Sequence, residues 1–271
     1  MQYENPEIPE GINTTDEHPL KEFVILSSGI IFVTAALVFL VLKAAEYSAQ
    51  LIPFAFEQQL ASSFSAQDTR KPSSTQLYLQ DLANKIARTQ ELPPEMKITV
   101  HYVDEDTVNA FATLGGHVIF YKGLVEKLPS ENALTMLMAH EIAHIKHRHP
   151  IQSLSSGLVL KILWALVTNA SDTAGIIDII RLSSLSYSRN NETIADEEGL
   201  HSVFQIYKDV NGATDLFQIL LETRQDLSFT APEYLSTHPN IKNRIMHLKK
   251  LAEENGWPGI KKPKTEYELS L

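Results

Sequence analysis

His140-Glu141-Ile142-Ala143-His144 sets two imidazoles four residues apart with a carboxylate between them. On an α-helix, positions i and i+4 share a face one turn apart, so both rings can reach one ion. Glu141 lies about 100° round the helix from His140, beside such an ion rather than on it. That is the place for a base acting on a water activated by zinc. The pattern carries this meaning only on a helix, and the flanks supply one. Ser130 after Pro129 offers an N-cap, Glu131 puts acid in the first turn, and Ala133 to Ala139 is a run of helix formers. Lys146, Arg148 and Pro150 provide a basic last turn and a stop. The expectation is one helix of about twenty residues with the motif in its second half.

A zinc site needs a third protein ligand and an open position. A metzincin places glycine three residues after the second histidine and histidine six after it; this chain has His147 and Pro150 there, which excludes that class. The gluzincin alternative is a glutamate on a later helix. Glu192 and Asp196, in Ser188-Arg189-Asn190-Asn191-Glu192-Thr193-Ile194-Ala195-Asp196, are again i and i+4. Glu192 is placed to bind metal while Asp196 accepts the free N–H of a ligand histidine. His147 follows His144 on the same face, but lies about 10 Å along the axis from His140. His147 and His149 are therefore read as outer residues.

These residues, taken with Ser236-Thr237-His238-Pro239 and Arg244, resemble the M48 family of zinc metallopeptidases. The likeness runs from roughly residue 75 to 250 and keeps the family's motif order. It implies one zinc ion per chain held by His140, His144 and Glu192, with Glu141 as general base. It also implies endopeptidase activity on protein or peptide substrates, often in envelope quality control. In the same likeness His238 falls near the metal, as a donor to the oxyanion or as a zinc contact in a resting state. Thr237-His238-Pro239-Asn240 also reads as a helix start. Arg244 is left with either a carboxylate of the later helix or a solvated surface as its partner.

Thr107 to Ala112 and Leu114 to Tyr121 read as two short strands joined by Gly115-Gly116, after a strand from Met96 to Val103. An edge strand beside the metal can hold an extended peptide by backbone pairing. Asn109, Ala110, Gly116, His117 and Val118 are the candidate substrate-binding residues. Asn109 and Ala110 match the Asn-Ala-Phe pattern of the family. Fold and ligands together predict an α+β, mostly helical, gluzincin-type domain with a small β-sheet beside the motif helix.

From Phe23 to Leu42 twenty residues carry no charge, bounded by Glu22 and Lys43. At 1.5 Å per residue they span about 30 Å of hydrocarbon. Residues 1–22 hold six acids against Lys21, which is not the basic start of a cleaved signal peptide, so the segment is read as a transmembrane helix anchoring the chain in a lipid bilayer. Lys21 and Lys43 nearly balance, so charge gives no orientation. The resemblance leans towards a single-pass protein of a bacterial inner membrane with its catalytic domain in the periplasm, the alternative being that the acidic N-terminal tail is the translocated end. The resulting organisation is an acidic tail over 1–22, the membrane helix over 23–42, a connector with Pro53 and a Ser-rich stretch over 43–72, the peptidase domain over 73–255 and a tail over 256–271. Leu77, Leu82 and Ile86 suggest an amphipathic helix opening the domain. Leu154 to Val167 is too short and polar for a confident span and is read as a buried helix, with a dip into the bilayer beside Ile176 to Leu185 as the alternative.

Net charge is −10, and residues 1–22 supply half of it, so there is no basic footprint for nucleic acid. With no cysteine the chain has neither disulfides nor thiolate metal ligands. The alternative to a zinc endopeptidase is a catalytically idle, membrane-anchored zinc protein that binds client proteins.

Overall fold

A computed structural model of the chain describes residues 18–65, 72–155, 187–219, 234, 238 and 241–258. The buried-helix reading of Leu154 to Val167 with Ile176 to Leu185 lies, beyond Ser155, outside the described residues. The chain divides into two compact units, Met1–Ala44 and Ala45–Leu271.

In the first unit, helix α1 (Pro19–Leu51, which runs on into the second) leaves Phe23, Ile25, Ile31, Phe32 and Leu40 exposed. It is long and apolar enough to cross a membrane. The remaining elements belong to the second unit. Residues read as a connector are helical: α2 (Phe54–Ser65) buries Phe54, Glu57 and Ala61, one face at helical spacing. Proline and serine mark its ends and concealed that short stripe.

Helix α3 (Ser74–Thr89) is capped by the Ser73 hydroxyl, which accepts the Gln76 N–H. It buries Leu79, Leu82, Ala83 and Ile86, whereas Leu77 points outward. Strands β1 (Thr99–Val103), β2 (Ala110–Ala112) and β3 (His117–Tyr121) form one sheet in the order β1-β3-β2. β3 is central, parallel to β1 and antiparallel to β2, with Val118 opposite Val100 on one side and Ala112 on the other. The outer edge of β1 is covered by α3: Gln76 donates to Val100 O, Gln80 donates to Ile98 O, and the Val100 N–H donates to Gln80 Oε1. The sheet's other edge is β2.

A 3-10 turn, Leu114–Gly116, joins β2 to β3. Gly116 has φ +87° there, and a Cβ would overlap the Lys97 carbonyl oxygen. Gly116→Ala is therefore expected to destabilise by about 2–4 kcal/mol, seen as a lower thermal midpoint in detergent; an unchanged midpoint would mean the turn relaxes freely.

After the single turn α4 (Lys122–Val125) comes α5 (Glu131–Lys146), shorter than its sequence suggested because His147 is already its C-cap. Ser130 caps it by accepting the Ala133 N–H. Every residue from Ala133 to Ile145 is buried, because α3, β2 and α6 (Arg189–Tyr207) enclose it. Met136, Leu137, Met138 and Ile142 share the core with Leu79, Ile86, Phe120 and Leu200. Full burial of such side chains contributes about 1.5–3 kcal/mol each. Ser188 caps α6 by accepting the Asn191 N–H, and α7 (Ile241–Glu254) packs on α6 through Ile241, Arg244 and Leu248. The molecule is thus mostly helical with a small mixed sheet beside the motif helix.

Candidate metal centre

α5 carries His140, Glu141 and His144 in its last two turns, and α6 carries Glu192 and Asp196 in its first two. All five are buried where the helices pack. His140 Nε2 and His144 Nε2 face each other at 3.0 Å. Glu192 approaches them at 3.7 Å through Oε2 and 3.5 Å through Oε1. Ligands of a tetrahedral ion with bonds near 2.0–2.1 Å are separated by about 3.3–3.4 Å. The observed separations bracket that value, so the donor set fits a divalent metal. His238 completes the cluster: its Nδ1 is 3.3 Å from His140 Nε2 and 2.9 Å from Glu192 Oε1. The four side chains offer donor atoms all within 4.8 Å of one another.

Glu141 stands beside this cluster. Its Oε2 accepts the Ala112 N–H at 2.8 Å, and its Oε1 is 3.7 Å from His238 Nε2, with no hydrogen-bond partner among the described residues. Burial raises its pKa against the lowering pull of His238 and His140, which makes it a readier proton acceptor than an exposed carboxylate. Burial raises Glu192 too, but His238, His144 and Arg244 override it and hold the carboxylate well below its usual range. Burial alone would lower His238; the carboxylates of Glu192 and Glu141 raise it instead.

The sequence left Arg244 without an assigned partner, and the structure supplies three. Its guanidinium donates to both oxygens of Asp196 at 2.7 Å, lies 2.8 Å from Glu192 Oε2, and reaches the His238 carbonyl at 3.5 Å. Asp196 Oδ1 in turn lies 3.0 Å from His140 Nδ1, off the line of a well-aligned bond. Arg244 outweighs the burial of Asp196 and lowers its pKa.

The substrate candidates separate. Asn109 and Ala110 lie at the start of β2, and both polar atoms of the buried Asn109 side chain lack a partner among the described residues. Because Asn109 O accepts from Tyr121 N and Thr113 N donates to His117 O, antiparallel alternation turns the backbone groups of Ala110 and Ala112 away from β3; those of Ala112 meet Glu141 and the Tyr187 hydroxyl. Gly116, His117 and Val118 lie away from that edge. Val118 is paired on both sides, and the His117 ring is 2.8 Å from His101.

Two further buried residues lie against His144, of which Tyr187 was not singled out from sequence. The Tyr187 ring stacks on His144 at 3.9 Å, and its hydroxyl donates to Ala112 O at 3.4 Å. His149, read as an outer residue, is buried with Nδ1 2.8 Å from His144 Nδ1, and burial lowers its pKa to about 3. His147 does sit outside, against Glu198 at 2.8 Å.

Residues 73–252 match the profile of Peptidase family M48. The chain is 27% identical over 183 residues to the mitochondrial metalloendopeptidase OMA1 of Schizosaccharomyces pombe, covering 66% of this chain and 54% of that protein. It is 27% identical over 207 residues to a putative beta-barrel assembly-enhancing protease of Vibrio cholerae, covering 71% and 42%. Against the metalloendopeptidase OMA1 of Bos taurus it is 31% identical over 184 residues, covering 61% and 35%. The chain spans between a third and just over half of the length of these relatives. A buried two-helix donor set, a carboxylate beside it and a profile that covers both helices agree: this chain belongs to the M48 family of metallopeptidases.

Proposed function

We propose that the chain is a membrane-anchored, zinc-dependent endopeptidase in which His140, His144 and Glu192 hold one zinc ion and Glu141 is the general base. The observation that carries this reading is the set of three donor side chains from two helices at near-tetrahedral separations, with the Glu141 carboxylate alongside. Imidazole and carboxylate ligands without sulfur suit zinc.

Zinc, when bound, lowers the pKa of water and polarises a carbonyl. Glu141 takes the proton of the attacking water and later delivers it to the departing amine; its buried, singly bonded carboxylate is poised for both transfers. An extended substrate pairs with the side of β2 turned away from β3, where Ala110 presents an N–H and a C=O, so recognition runs through backbone rather than a fixed side chain. Asn109 lies at the entrance of that strand with an unsatisfied amide. His238, whose Nε2 faces Glu141, donates to the oxygen that gains charge during attack. Arg244 and Asp196 hold Glu192 and His140 in place.

The helix over residues 23–42 tethers this activity to a bilayer, and a bacterial inner membrane with the catalytic unit in the periplasm is the placement we adopt. The beta-barrel assembly-enhancing proteases among the relatives support a role in envelope protein quality control.

Glu192→Ala tests the ligand set. Elemental analysis of the purified variant is expected to show zinc falling from about one per chain to well under a tenth of that, with the fold retained by circular dichroism. Unchanged zinc content would assign the third ligand to another residue.

A further inference from the structure

A histidine that binds metal through Nε2 must carry its proton on Nδ1, and that N–H needs an acceptor when buried. For His140 the carboxylate beside Nδ1 is that of Asp196, 3.0 Å away. For His144 the partner of Nδ1 among the described residues is Nδ1 of His149, 2.8 Å away. We propose that His149 is a positioning residue of the metal site, accepting the Nδ1–H of His144 and thereby holding the tautomer that leaves Nε2 free for the ion. This inference rests on the metal-centre reading above.

The backbone explains how a residue only five positions on can do this. On a continuing helix His149 would stand about 140° round from His144 and could not face it. The helix instead ends at Lys146, the His147 N–H donates to Ala143 O, and Arg148 adopts φ +60°. That left-handed step turns the chain back so that the His149 ring meets His144 edge-on, 5.0 Å between centroids. A non-glycine residue holds this conformation only where its surroundings enforce it. Here they do: the Arg148 guanidinium donates to the buried Glu57 carboxylate and to the Ile52 carbonyl, and Glu57 also accepts the Gly115 N–H. Tyr187 closes the other face of His144 by stacking at 3.9 Å.

Proton bookkeeping then assigns every site. With Nε2 of His144 committed to the ion, its Nδ1 holds the hydrogen and points it at the Nδ1 lone pair of His149. The proton of neutral His149 must therefore sit on Nε2.

Zinc affinity of the full-length protein, measured by competition with a chromogenic chelator, tests the assignment. His149→Leu removes the acceptor and is expected to weaken zinc binding ten- to a hundredfold. His149→Asn returns an oxygen near the position of Nδ1 and is expected to bind within about threefold of the parent. A Leu variant as tight as the parent, or an Asn variant as weak as Leu, overturns the proposal. Should the Leu variant not fold, 15N spectra of the imidazoles in the unaltered zinc-loaded protein decide it: a proton on His144 Nδ1 and on His149 Nε2 supports it, and any other tautomer of His149 overturns it. A parent that binds zinc and cleaves protein while both variants match it would sink this inference alone. A parent that binds no zinc would sink the metal-centre reading with it.

Discussion

Glu141→Gln is expected to lower the turnover number by at least about 10²–10⁴-fold while zinc content stays at the parent level. The reasoning is local. The amide matches the carboxylate in size, and its oxygen can still accept the Ala112 N–H that Glu141 Oε2 now accepts at 2.8 Å. The side chain therefore stays where it is, fully buried beside His238. What is lost is basicity: an amide cannot take a proton from water. Because glutamine can keep the Ala112 contact, the proposed substrate strand β2 stays in place and KM is expected to change by less than about threefold. A variant retaining a tenth or more of the parent's turnover would remove Glu141 from its role.

Arg244→Met is expected to cost about 3–5 kcal/mol of stability. Arg244 is buried, and it bonds both oxygens of Asp196 and one of Glu192. Methionine fills much of the volume but leaves the buried Asp196 carboxylate without its cation and takes one from Glu192. The pH dependence follows from Asp196, whose pKa is lowered in the native state chiefly because Arg244 outweighs its burial. A lowered native pKa stabilises the fold above the ordinary carboxylate value, and that contribution is lost as pH falls through the native one. Without Arg244 burial dominates and the Asp196 pKa rises, so the acid limb of unfolding should move to higher pH. Denaturant unfolding across pH reads both effects. Arg244→Lys restores the charge but not the two-pronged geometry and is expected to fall between parent and Met. A loss below about 1 kcal/mol for Met would show that solvent or another group takes over the pairing.

How much of this could be read from the chain differs by residue, and the reason is periodicity. His140 with His144 and Glu192 with Asp196 are each i and i+4 pairs, so a helix alone puts each pair on one face. The structure brings both faces together on the packed helices α5 and α6. His149 was read as an outer residue rather than a ligand; its contact with His144 was not legible, because it depends on Arg148 ending the helix with a left-handed residue. Tyr187 stands one residue before the α6 cap, where no period applies, and only packing lays it on His144. Arg244 needed α7 docked on α6 before its partners could be chosen. For the sheet, alternation located the strands, but not that β3 would be central. Strand order depends on the α3 glutamines covering β1, a pairing between segments about twenty residues apart. That order leaves β2 as the sheet's other edge and puts His117 and Val118 on the central strand.

The most direct test is a zinc titration of cleavage. The full-length protein in detergent is stripped with a chelator, zinc is added in steps, and hydrolysis of an unfolded protein substrate is followed at each step. Cleavage should be absent from the stripped protein, rise in proportion to zinc and level off at one ion per chain. Cleavage that persists without metal, or none at any zinc level in a folded protein, would contradict the account.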